Sequence, residues 1–146
     1  MKILLTASLA MALAACASTP PPPSARLTTY LAHAGAPVPW IHYYGRIYGW
    51  ESVDPRALAL WTQSREAWLL EFDVPCNGLE YAIGIGLTAR NGLGQTGQVY
   101  AGIDEVYVND AGAGRITCVI ARIRPLDVAA LKEEDARRRA QGSSGT

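Results

Sequence analysis

Apolar residues recur along this chain with two different periods, and the change of period marks the elements. Leu27, Tyr30, Leu31 and Ala34 fall at i, i+3, i+4 and i+7, one stripe of a short helix. Ser24 stands ahead of the stripe as a cap, Gly35 stops it, and Pro37 and Pro39 bar its continuation. From Trp40 onward the period drops to two. Trp40 to Trp50 alternates and is rich in aromatic residues, so it reads as one strand. Ala57 to Trp61 and Ala67 to Phe72 flank the polar run 62–66, which reads as a hairpin loop. Tyr81 to Thr88, Gly97 to Asp104 and Arg115 to Arg124 are three more strands, divided by Asn-Gly and Gly-rich turns. Val106 to Val108 reads as a short extension past a bulge at Asp104-Glu105. Pro125 ends the last strand. Asp127 then caps a helix over Val128 to Arg139 whose apolar side is thin, with Val128 and Leu131 next to Asp135.

These elements predict an α+β domain. Its centre is a curved antiparallel sheet of about five to seven strands, at its tightest a partly closed barrel, with a short helix at the N-terminus and another at the C-terminus. One globular domain is expected over residues 25–139, with a flexible Gly/Ser-rich tail over 140–146.

Upstream of the domain the pattern is neither helical core nor strand. Lys2 supplies a positive charge, Ile3 to Leu13 is apolar apart from Thr6 and Ser8, and small residues follow. That order is a secretory signal peptide, too short to hold as a membrane-spanning anchor. Leu13-Ala14-Ala15-Cys16 is also the order of a bacterial lipobox. Cleavage before Cys16 removes residues 1–15 and frees a thiol that can take a diacylglyceryl thioether. Two or three acyl chains then anchor the protein firmly. The competing reading is ordinary secretion with cleavage after Ala17. No Asp follows Cys16, which favours the outer membrane, with the domain facing the periplasm. Residues 16–24 form a lipidated, proline-rich tether; four consecutive prolines favour an extended polyproline stalk of roughly 25 Å.

Composition narrows the classes. The chain has 146 residues, 49% hydrophobic and 18% charged, which suits a folded domain and excludes intrinsic disorder. Thirteen basic and thirteen acidic residues cancel, so no electrostatic footprint for nucleic acid is present. Partners are then the membrane, through the lipid, and an envelope protein or a small molecule. With Cys16 acylated, Cys76 and Cys118 remain as an even pair in an oxidising compartment, and a disulfide between them is expected, contributing about 3–4 kcal/mol. His33, His42, Cys76 and Cys118 lack zinc-finger spacing, so no metal is assigned, and no cofactor either.

Candidate chemistry is sparse. Gly92 to Gly97 spells G-x-G-x-x-G, but it leaves one strand and enters another, so it reads as a turn and not a dinucleotide site. Gly84 and Gly86 share one face of a strand and leave room for Trp61, Trp68 or a ligand. On a single regular strand, His42, Tyr44, Arg46, Tyr48 and Trp50 share a face, which makes them the ligand-site candidate. Arg46 there can grip a carboxylate or phosphate. In the alternative, that side lies under a neighbouring helix or loop. Ser52 and Ser64 are the only serines inside the folded body and neither lies in G-x-S-x-G. A hydrolase built from them with His33 or His42, or from Glu71, Asp73, Glu80, Asp104 and Glu105, is the weakest of the readings, and no catalytic residue is assigned.

Four segments resemble a family of small Gram-negative envelope lipoproteins known only as a domain of unknown function. They are Leu27 to Leu31 with Gly35, Tyr44-Gly45-Arg46 with Gly49-Trp50, Pro75-Cys76, and Cys118 to Asp127. The resemblance covers most of residues 26–131. It implies an exported lipoprotein with two paired cysteines and supplies no catalytic residue. The expected role is non-enzymatic: envelope structure or interaction, with small-molecule binding on the Tyr44, Arg46 and Trp50 face as the alternative.

Overall fold

A computed structural model describes residues 22–89, 96–112 and 114–143. The first helix, α1, spans Ala25–Ala32, and the Ser24 side chain accepts a hydrogen bond from the Leu27 N–H, as its cap position predicts. Nine strands follow among the described residues: β1 Trp40–Tyr44, β2 Gly49–Asp54, β3 Ala57–Gln63, β4 Glu66–Glu71, β5 Ala82–Leu87, β6 Thr96–Tyr100, β7 Glu105–Asp110, β8 Gly114–Val119 and β9 Arg122–Leu126. A 3-10 turn over Leu79–Tyr81 precedes β5, and helix α2 closes the chain over Val128–Gly142. Its cap is Asp127, which accepts from the Ala130 N–H. The helix runs past Arg139, so Ala140 to Gly142 are helical where a frayed tail was expected.

The fold class is α+β with antiparallel sheets, as predicted, but the single curved sheet is three sheets, and none is closed among the described residues. Four strands pair in the order β2-β3-β4-β9, two as β1-β6, and three as β5-β7-β8. Strand β3 is buried on both faces, and its sequence shows why. Leu58 and Leu60 alternate with Ala57 and Ala59. The leucines pack with Ile41, Val99, Leu87, Val106 and Val108 from the two smaller sheets, with Ile120 of the β8–β9 link and with Ile123 of β9. The alanines let the helices approach, and Leu27, Val128 and Leu131 fill that side with Val53, Leu69 and Leu126. Each fully buried leucine or isoleucine contributes roughly 1.5–3 kcal/mol.

Three predicted strands are redrawn. Trp40 to Trp50 breaks at Gly45, whose φ of 75° is open to glycine and strained for other residues, so β1 and β2 enter different sheets. Arg115 to Arg124 breaks at Ile120-Ala121, where the chain leaves the β5-β7-β8 sheet for β9. The Ile120 N–H donates to the Asp104 carbonyl and the Ala121 N–H to the Glu71 carbonyl. The Val106 to Val108 extension is the middle strand of its sheet, paired on both sides.

Pro125 does not end β9; it lies inside it, opposite Trp68 of β4. Its carbonyl accepts from the Gly35 N–H, so its missing hydrogen points to the Gly35 side and not into the β4 ladder. The Ala34 to Val38 segment thus covers the outer edge of β9 with two isolated bridges.

The Cys76–Cys118 disulfide has Cα atoms 5.7 Å apart. It ties the loop before the 3-10 turn to β8.

Candidate functional site

The five residues of the predicted ligand face do not share a face, because the strand that would align them is broken at Gly45. His42 and Tyr44 point outward from β1, beside Trp40, with their rings edge to face at 4.5 Å. Arg46 is exposed in the connection after Gly45 and makes no ion pair among the described residues. Trp50 lies on β2 with its ring packed against the larger core. Tyr48 precedes β2, and its backbone N–H donates to the Trp61 carbonyl at 2.8 Å.

Tyr48 and Trp50 nevertheless meet other residues at a cleft of about 560 Å³. Its walls come from the start of β2, the end of β3 and one turn of α2: Tyr48, Gly49, Trp50, Glu51, Trp61, Ser64 and Lys132. Gly49 stands directly opposite Trp61 in the β2–β3 register. A Cβ added at Gly49 would meet nothing within 4 Å, so the strand leaves a gap beside the indole. Glu51, two residues on, is held by both oxygens: the Tyr30 hydroxyl donates to Oε2 at 2.8 Å, and Arg26 pairs with Oε1. Burial raises the Tyr30 phenol above its ordinary pKa, against the opposing charge of Arg26, so the phenol keeps its proton and donates. Lys132 enters from α2 and has no ion pair or hydrogen bond among the described residues.

A second cleft, of about 580 Å³, lies beside Pro22 and Pro23 at the start of the described residues. Pro22, Pro23 and Leu27 face Asp54, Glu71 and Arg122 there. Three of its charged residues are paired: Arg124 Nε lies 2.7 Å from Glu71, and Arg122 reaches both Glu71 at 3.5 Å and Asp73 at 3.3 Å. Asp104 is buried at 5% exposure and accepts from the Tyr100 N–H and the Thr88 hydroxyl.

The remaining candidates are scattered. His33 sits at the end of α1, its Nε2 3.9 Å from Glu134. Ser52 lies in β2 and Ser64 in the β3–β4 turn. No hydrogen bond joins either histidine to either serine. Gly86 is covered by the ring of Tyr107, its register partner on β7, and not by Trp61, Trp68 or a ligand. The Gly92 to Gly97 motif lies outside the described residues as far as Gln95, and Thr96 and Gly97 are in β6.

Sequence reading missed Gly49, Trp61 and Lys132 as neighbours. Trp61 faces Gly49 through cross-strand register, and Lys132 belongs to a charged run that reads as a solvated helix face. Neither signal is local.

Residues 1–142 match a family of unknown function, DUF6491. The chain belongs to this family. No curated protein and no solved structure matches it.

Proposed function

We propose that this DUF6491 chain is a lipid-anchored lipoprotein of the cell envelope, held in the outer membrane with its domain in the periplasm. The domain serves a non-enzymatic interaction role. The observation that carries the reading is the order Leu13-Ala14-Ala15-Cys16, followed at once by a proline-rich tether. The Cys76–Cys118 bridge suits the oxidising side of a membrane. The fixed partners of the cleft carboxylates favour binding over catalysis, since Glu51 and Glu71 are each held by a cation. Small-molecule binding is the second reading, and the cleft at Tyr48, Gly49 and Trp61 supports it better than the Tyr44, Arg46 and Trp50 face.

Metabolic labelling with palmitate, followed by membrane fractionation, tests the anchor. The wild type is expected to take up label and sediment with membranes, and Cys16→Ser to do neither. Equal labelling of both, or a Cys16→Ser protein that still sediments with membranes, overturns the reading.

A further inference from the structure

We propose that the cleft between Gly49, Trp61 and Lys132 binds a saccharide bearing a carboxylate. The proposal rests on the reading of the domain as a binding module, and is independent of how the chain is anchored.

The gap at Gly49 is the first observation. Its backbone is not in the left-handed region, so no turn demands glycine there. No neighbour crowds the position either, because an added Cβ meets nothing within 4 Å. What glycine does at this point is leave the flank of Trp61 open. The indole is half-buried, so part of its surface faces the cleft, and Tyr48 stands at the mouth with 58% exposure. Flat aromatic surfaces beside a polar rim suit a sugar, whose C–H faces stack on rings while its hydroxyls turn to donors and acceptors. Ser64 supplies such a hydroxyl. The cleft volume, about 560 Å³, lies within the range of small-molecule sites.

Charge fixes the class further. Glu51, the acid of the cleft, is already occupied by Arg26 and Tyr30. Lys132 therefore faces the cleft as an uncompensated ammonium. Lys132 is exposed, so a neutral guest leaves its ammonium to water, while a carboxylate on the guest pairs it.

Titration calorimetry of the full chain with three probes tests this. N-acetylmuramic acid and N-acetylglucosamine share the sugar and differ by the lactyl carboxylate, while benzoate carries a carboxylate without the sugar. N-acetylmuramic acid is expected to bind about fivefold tighter than N-acetylglucosamine, an advantage that added salt and Lys132→Ala both remove. Benzoate is expected to bind more weakly than N-acetylmuramic acid. Gly49→Val fills the gap without touching packed atoms and suits a strand, so its thermal midpoint should match the wild type while affinity for both sugars falls at least tenfold. Equal affinity for the two sugars, benzoate binding as tightly as N-acetylmuramic acid, or undiminished binding by Gly49→Val overturns the proposal. Absence of binding by a chain that is acylated on Cys16 does so too, and leaves the anchoring intact.

Discussion

Opposite Gly86, the Tyr107 ring lies where a β-carbon would project. Glycine in a strand interior is costly by itself, and an aromatic partner across the ladder recovers part of that cost by covering the bare backbone. Arg115 lies over the outer side of the same ring, 5.0 Å from its centre. Gly86→Ala is therefore expected to destabilise the domain by about 1–3 kcal/mol through overpacking. In a Tyr107→Ser background the same change should be close to neutral, and urea unfolding of the four proteins in the cycle measures the coupling. Additive effects would contradict the contact. A tightly covered strand glycine was legible in the pattern Gly84-Ile85-Gly86. The identity of its cover was not, because the partner comes from a strand distant in sequence.

At the scale of elements, local signals were read well and long-range ones poorly. Ser24 and the Leu27, Tyr30, Leu31 stripe specify α1 within a few residues, and Asp127 specifies the start of α2 in the same way. The two predicted strands that broke did so where alternation is uninterrupted. Gly45, with its φ of 75°, is a local sign of the first break that alternation on either side masks, whereas Val119-Ile120-Ala121 carries neither glycine nor proline, so nothing local reports the second. The joining of α1 to β2 yields a pH prediction. Burial pushes the Asp54 carboxyl up, but hydrogen bonds from the Ser24 hydroxyl, the Arg56 N–H and the Ser24 N–H, with the Arg56 charge, outweigh it and leave the pKa below its ordinary value. A depressed folded pKa contributes stability that is complete above the unfolded value and is lost as pH falls through the folded one. Asp54→Asn should therefore be less stable than the wild type at pH 7, with the gap closing as pH drops below about 4. Thermal melts across that range check it, and a gap that widens in acid would contradict it.

At the scale of the molecule, one four-stranded sheet is buried on both sides. Helices cover one face, the β1-β6 pair and the β5-β7-β8 sheet cover the other, and the disulfide fastens the second set. The aromatic cleft opens at the end of this sheet where β2, β3 and α2 meet. Pro22 and Pro23 lie beside α1 at a separate cleft, where Glu71, Asp73 and Arg122 are paired. The proposed anchor and the proposed binding cleft are thus served by different elements, so acylation at Cys16 would leave the cleft open. The intact mass of the mature protein, taken under non-reducing conditions from purified envelopes, tests the central claim most directly. The expected species begins at Cys16, carries diacylglyceryl and acyl groups there, and holds Cys76 and Cys118 oxidised. A chain that retains Met1, or one that begins at Ser18 without lipid, would contradict it.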